Sequence, residues 1–308
     1  LNPYINSQGF ARVGMLTVLL GAVANILLDP IFIYLLGMGV QGAAVATVIS
    51  QALSAAWVLR FLTSSRAELR LDFKGFRPDF ACIRRIAALG ASSFVMSFTD
   101  SLVQVACNST LRIFGGDIYV SVMTVINSVR QIAQTPVMAL SDGASPIISY
   151  NYGARRVPRV RLAIRFMTQL GFLYTLVSWG LISLFPAFFI RIFNHEPALL
   201  EAAVPSLHIY FFGFVMMAFQ FAGQSVFKSL NKAKKAVFFS LLRKAIIVVP
   251  LTLILPRVGG LGVRGVFLAE PISNLIGGLA CYITMRRTVY PELAEMEKEP
   301  GRSALKTD

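Results

Sequence analysis

About eight stretches of roughly twenty mostly apolar residues, joined mostly by short connections, constrain this chain more than any other feature. They cover residues 13–36, 40–62, 91–114, 118–147, 162–185, 200–227, 236–255 and 263–285. Each is long enough to cross a bilayer as a helix, and the brevity of most loops makes successive helices antiparallel neighbours. The expected fold class is therefore an all-α integral membrane bundle. Composition agrees: 56% of the residues are hydrophobic and only 14% are charged, where a soluble domain carries about 25% charged residues.

The net charge of +14 is no sign of nucleic acid. The basic residues fall in short clusters between apolar stretches, with no basic groove and no aromatic RNA motif. One set of loops holds Arg12, then Arg66, Arg70, Lys74, Arg77, Arg84 and Arg85, then Arg155, Arg156, Arg159 and Arg161, then Lys228, Lys232, Lys234 and Lys235, and finally Arg286 and Arg287. The alternate loops hold only Arg112, Arg191, Arg257 and Arg264. The rich side is cytoplasmic, so the first stretch runs outward. Residues 79–88 mix apolar and basic side chains and suggest a short helix on the inner surface. Cys82, Cys107 and Cys281 are too scattered for a disulfide or metal set, and His195 and His208 are isolated.

The chain also repeats itself. Gly37-Met-Gly-Val-Gln-Gly42 returns as Gly260-Leu-Gly-Val-Arg-Gly265, and Ala46-Thr-Val-Ile-Ser50 aligns with Ala269-Glu-Pro-Ile-Ser273, at a constant spacing of 223 residues. Both copies follow a basic loop and so run the same way across the membrane. A parallel repeat of this kind is expected to place the first and seventh stretches equivalently in two lobes. The second copy then occupies about 63–285 with six helices, while the first shows two. On this reading about four helices, or about 160 residues, precede Leu1, in keeping with a start at Leu and not Met. The glycine strings match G-x-G-x-x-G, but helices flank them on both sides, which excludes a dinucleotide-binding turn. Tight turns and close helix packing explain them.

Asp29 is the most informative residue. A carboxylate at bilayer depth costs about 2.5 kcal/mol or more, so it is expected to face a cavity or a partner. Asn25 lies one turn earlier on the same face, and Pro30 frees the carbonyl of Ile26 from helix pairing. Three oxygen-bearing groups thus converge. They suit a small alkali cation, a proton held by a desolvated carboxylate, or simply a helix-end Asp at the outer interface.

The strings Gly21-Ala-Val-Ala-Asn-Ile-Leu-Leu-Asp-Pro-Ile-Phe-Ile33, Gly37-Met-Gly-Val-Gln-Gly-Ala-Ala44 and Ser145-Pro-Ile-Ile-Ser-Tyr-Asn-Tyr-Gly-Ala154 resemble the multidrug and toxic compound extrusion (MATE) family, over residues 1–287. The resemblance implies twelve helices in two lobes, of which the fifth to the twelfth are visible, and a Na⁺- or H⁺-driven antiporter of the cytoplasmic membrane. It implies a cation site on Asn25, Asp29 and Thr47, with Asn2 as a weaker candidate and a further Asp from the first helix. Residues 1–62 would close the N-lobe, 63–90 link the lobes, 91–285 form the C-lobe and 286–308 a cytoplasmic tail. Asp142 and Ser145 depart from the Gln more usual in the family, which bears on the subfamily.

In the second lobe, Asp100, Gln104, Asn108, Arg130, Gln131, Gln134, Gln220, Gln224 and Glu270 lie at helix depth. They read either as interhelical glue or as the lining of a polar cavity for an organic cation. The 223-residue spacing pairs Glu270 with Thr47 and Thr252 with Asp29, so the two lobes differ chemically. Asp100 and Arg130, at similar depth on adjoining helices, are expected to pair. The reading is a monomeric exporter of drugs or organic cations in the lipid bilayer, with Na⁺ or H⁺ as coupling ion, no other cofactor and no nucleic acid partner. The alternative is a lipid-linked oligosaccharide flippase of related architecture, which would need more cations in its cavity than Arg130, Arg243 and Lys244. An intramembrane enzyme is disfavoured for want of a nucleophile–base pair or metal set at depth.

Overall fold

In the computed structural model of this chain, residues 2–64, 67 and 79–298 are described, and every regular element among them is helical. The chain divides into two compact units, Leu1–Phe80 and Ala81–Asp308. Most of the expected inter-lobe segment, including Arg66, Arg70, Lys74 and Arg77, lies outside the described residues.

The first unit comprises α1 (Asn2–Ser7), α2 (Ala11–Pro30) and α3 (Gly39–Leu62). Pro30 ends the regular part of α2, because its ring lacks an N–H. The chain winds on as a wider π turn over Ile31–Leu35, and the Leu36 amide donates to the Ile31 carbonyl at 2.9 Å. A small core of Ile5, Val58 and Leu62 gathers at one end, with Phe10 edge-on to Phe61 at 5.3 Å. Met15, Leu19 and Leu27 on α2 are exposed. Lipid tails solvate such side chains as well as a core does, so an apolar exterior suits a membrane helix.

The second unit begins with α4 (Phe80–Gly153), broken at Gly116 (φ 74°, ψ −172°) into arms over residues 80–115 and 117–153. Then follow α5 (Val157–Leu184), α6 (Pro186–Arg191), α7 (Pro197–Phe211), α8 (Met217–Ser229), α9 (Ala233–Leu241), α10 (Val249–Ile254) and α11 (Val263–Lys298). One core cluster includes Leu111, Ile126, Phe211 and Phe267. Another includes Ile164, Phe227, Phe239 and Met285.

All eight stretches read from the sequence are helical nearly end to end. Among the described residues, five helical runs can cross a membrane by length and apolarity alone: Ala11–Leu35, Gly39–Leu62, Val157–Leu184, Ala233–Arg257 and Val263–Lys298. A sixth is the pair α7 and α8, bent by 43°. The bend falls beside Gly213, where a Cβ would meet the Pro271 carbonyl oxygen at 2.6 Å. The remaining two stretches are the arms of α4, whose polar side chains reduce their apolarity. The expected surface helix over residues 79–88 is no separate element: helix runs unbroken from Phe80 into the first arm of α4.

The internal repeat is visible in the local geometry of each unit. Gly37 and Gly39 have φ of 65° and 55°, and their counterparts Gly260 and Gly262 have 71° and 49°. All four occupy the left-handed region that only glycine enters without strain. A Cβ on Gly42 would lie 2.6 Å from the Phe32 carbonyl oxygen, and one on Gly265 would lie 2.6 Å from the carbonyl carbon of Leu255, the counterpart of Phe32. Ala46 and Ala269 are buried, as are Ser50 and Ser273.

At its C-terminal end, α11 continues past the last apolar stretch to Lys298, and Val289 and Leu293 are fully buried against the second core cluster. There Glu292 pairs with Lys232, and the Tyr152 hydroxyl donates to its other oxygen at 2.7 Å. Burial raises the Glu292 carboxyl, but the Lys232 and Tyr152 hydrogen bonds outweigh it and hold the group below its ordinary value of 4.5. Burial and Glu292 push Tyr152 up to about 12, so it remains a donor.

Two predictions follow from this packing. Gly42→Ala and Gly265→Ala should each cost about 1–3 kcal/mol, because the obstructing atoms are backbone. Thermal unfolding in detergent should show both lowered, whereas Gly143→Ala, with nothing within 4 Å of its Cβ, should melt like wild type. Equal melting of all three would refute the close-approach account. The Glu292 clasp should give a pH-dependent difference between wild type and Glu292→Gln. A depressed carboxyl stabilises fully above its unfolded value and loses that contribution as pH falls through its folded value. The difference should be constant near neutrality, shrink below about pH 4.5, and vanish at lower pH; a difference independent of pH would exclude the clasp.

Candidate functional site

The second unit encloses a cavity of about 560 Å³. Helical spacing explains which side chains reach it. Asp100, Gln104 and Asn108 follow one another at four-residue steps on the first arm of α4. Asn127, Arg130, Gln131 and Gln134 continue one face of the second arm. Gln220 and Gln224 are a turn apart on α8, and Glu270 comes from α11. Every polar residue expected at helix depth in this lobe lines the cavity, Gln131 included.

Arg243 and Lys244 complete the lining from a π turn, Leu242–Val248, that joins α9 to α10. Such wide turns occur frequently at functional sites. The Arg243 stem lies across Gly277, where a Cβ would come within 3.0 Å of its Cβ and Cγ. Glycine at that point lets α11 and the π turn approach, and it directs the guanidinium onward to Glu270.

Glu270 is the centre of the charge arrangement. Its Oε1 accepts a hydrogen bond from Arg243 Nη1 at 2.8 Å and lies 3.6 Å from Arg130 Nη1. Arg243 Nη1 also donates to Asn274 Oδ1 at 2.9 Å. Only its four-residue spacing from Glu270 marks Asn274 in the sequence. Asp100 pairs with Lys244. The expected pairing of Asp100 with Arg130 is therefore corrected: both line the same cavity, but each takes a different partner. The expectation weighed only the adjoining helix, whereas Lys244 and Glu270 reach in from α9–α10 and α11.

The first unit has its own cavity, of about 630 Å³, lined by Asn2, Asn25 and Thr47 together with Thr17, Ser50, Gln51 and Ser54. Asn25 Nδ2 donates to Asp29 Oδ1 at 3.3 Å, so the two share a face. Asp29 is half-buried and does not itself line the cavity; Asn25 connects it to the wall. The Thr47 hydroxyl is spent on the Ala43 carbonyl at 2.9 Å, leaving its oxygen lone pairs. Asn2 Nδ2 donates to the Gly14 carbonyl at 3.1 Å, and Asn2 Oδ1 is buried with no partner among the described residues. In Thr252, the counterpart of Asp29, the hydroxyl is fully buried 3.7 Å from the Cys107 sulfur.

The Glu270 arrangement yields a stability prediction. Removing one member of a buried ion group leaves an uncompensated charge, at a cost of about 3–5 kcal/mol. Glu270→Ala should destabilise by that order, and Glu270→Ala with Arg243→Met should recover part of it. Thermal denaturation of the three proteins tests this, and an additive double variant would show that the two residues are not coupled.

Comparison with known proteins places these features in context. Residues 92–254 match the MatE family model. The chain is 24% identical over 302 residues to a protein of Shewanella oneidensis named FAD transporter, covering 94% of this chain and 64% of that one. It is 22% identical over 289 residues to the multidrug export protein MepA of Staphylococcus aureus, covering 93% of this chain and 63% of that one. The chain thus spans somewhat less than two thirds of these relatives. Among solved structures it superposes on a MOP superfamily transporter from Pyrococcus furiosus with a TM-score of 0.86 at 23% identity, covering 94% of this chain and 64% of that one. It also matches the outward-facing conformation of a multidrug resistance MATE family transporter, with a TM-score of 0.85 at 24% identity and coverage of 94% and 64%. At these identities the likeness speaks for the fold.

Proposed function

The chain belongs to the MatE family, and from that premise we propose that it forms the larger part of a Na⁺- or H⁺-coupled antiporter, which exports drug-like organic molecules across the cytoplasmic membrane by alternating access. The observation that carries this reading is the convergence of polar and charged side chains from both arms of α4, α8, the π turn and α11 on one cavity inside an apolar bundle. Charged groups at membrane depth are costly and mark substrate or ion pathways. The volume of about 560 Å³ falls in the range of about 300–1,000 Å³ typical for small-molecule sites.

Coupling belongs to the first unit. Asp29, with Asn25 on its face, offers a carboxylate and an amide oxygen, and the unpartnered Asn2 Oδ1 supports a need for a cation in that unit. A bound ion drives transport only through different affinities in two states, so Asp29 would hold its cation or proton in one state and release it in the other. The flippase reading has one observation in its favour, the presence of Arg130, Arg243 and Lys244 together in the cavity. A drug-sized volume favours efflux over a large lipid-linked sugar.

In the full-length protein, Asp29→Asn preserves size and hydrogen bonding but removes the charge. Drug binding should survive, while gradient-driven efflux should fall at least tenfold, measured in everted vesicles under separate Na⁺ and pH gradients. Glu270→Gln, in the other unit, should alter substrate preference more than coupling. Efflux by Asp29→Asn near the wild-type rate at equal expression would end the assignment of Asp29 as the coupling residue.

A further inference from the structure

The cavity of the second unit carries a charge pattern of its own. Four cationic side chains, Arg130, Arg243, Lys244 and Lys228, line it against three carboxylates, Asp100, Asp142 and Glu270. The two carboxylates at helix depth are both engaged, Asp100 by Lys244 and Glu270 by two arginines through one oxygen. An organic cation drawn to either of these two would have to displace its partner.

Hydrogen-bond capacity points the same way. Each guanidinium has five N–H donors and no acceptor. Among the described residues, the polar atoms that Arg130 and Arg243 meet are Glu270 Oε1 and Asn274 Oδ1. Among the described residues, Arg130 Nε, Arg243 Nε and Gln224 Nε2 are buried donors of the lining without a partner, and Gln220 Oε1 is the one buried acceptor of the lining in that condition. Buried donors without acceptors are costly, and a ligand that supplies acceptors relieves that cost. Apolar side chains share the wall with these polar ones, among them Met123, Met138, Met217, Phe221, Val248 and Val266. Methionine and aromatic side chains adapt to varied flat, apolar bodies.

Resting on the efflux reading above, we propose that this cavity takes amphipathic organic anions, drug-sized molecules with an apolar body and a carboxylate or phosphate group, in preference to organic cations. The anionic group meets Arg130, Arg243 and Lys244, and the apolar body lies against the methionines and Phe221. Arginine forks match carboxylate and phosphate oxygens, and charge-assisted bonds of this kind are about twice as strong as neutral ones. Lys244 sets the preference most directly, because Asp100, its partner, is half-exposed and opposes it with a single charge.

The test is equilibrium binding by fluorescence anisotropy to the purified full-length protein, with fluorescein as anionic probe and ethidium as cationic probe. Wild type should bind fluorescein about tenfold more tightly than ethidium. Lys244→Gln should weaken fluorescein by about tenfold, Asp100→Asn should tighten it, and the double variant, which restores the charge sum, should return near wild type. The gain expected of Asp100→Asn keeps the test decisive even where Lys244→Gln fails to fold. Tighter binding of ethidium, or a fluorescein-to-ethidium ratio unchanged across the variants, overturns the proposal and leaves efflux intact. Fluorescein binding without flux in everted vesicles overturns efflux and leaves the ligand class standing. Displacement of fluorescein by 2-naphthoate is the supporting result; displacement only by micellar phosphatidylglycerol assigns the site to a lipid headgroup and overturns the substrate proposal.

Discussion

A charge held away from water must have its counter-charge within reach, and the second unit is arranged around that requirement at Glu270. One carboxylate oxygen receives Arg243 and stands near Arg130, which ties α11 to the π turn and to the second arm of α4. The low dielectric that makes such a cluster strong also makes it costly to leave incomplete. The helices that supply these charges therefore have little freedom in register: a slide of one turn, about 5.4 Å, would part the guanidinium from the carboxylate. Apolar packing alone gives no such discrimination in a membrane, because lipid tails solvate leucine as well as another helix does.

Close backbone approach supplies the remaining specificity. Gly42, Gly213, Gly265 and Gly278 each lie where a Cβ would meet backbone at 2.6–2.7 Å. At these points helices meet main chain to main chain, which maximises dispersion contact where no hydrophobic driving force is available. The same logic brings α11 against the π turn at Gly277, and so links packing directly to the placement of Arg243.

Much of this was legible in the sequence because membrane helices obey strong rules. Twenty apolar residues in a row specify a helix, and polar residues among them stand out; hence Gln104, Asn108, Gln220 and Gln224 were identifiable as either interhelical contacts or cavity lining, and the structure lines a cavity with all four. The shared face of Asn25 and Asp29 followed from four-residue spacing, and the glycine turns from their repetition. What was not legible depended on contacts between distant segments. Asp100 took Lys244 and not Arg130, a choice made by helices far apart in sequence. The bend between α7 and α8 rests on Gly213 meeting Pro271, and the π turns carry no composition of their own. The helical continuation of α11 into the expected tail was concealed by its charge, since Arg286, Arg287 and Glu292 read as a solvated end until Val289 and Leu293 are seen buried.

That continuation has a practical side. Because α11 reaches Lys298 as unbroken helix and is fastened through Glu292 to Lys232 and Tyr152, a spectroscopic label at Glu295 or Lys298 would move with the inner end of the second unit and not swing on a loose tether. A pair of such labels, one on α11 and one on α5, would report the rigidity of this unit as a narrow distance distribution in electron spin resonance.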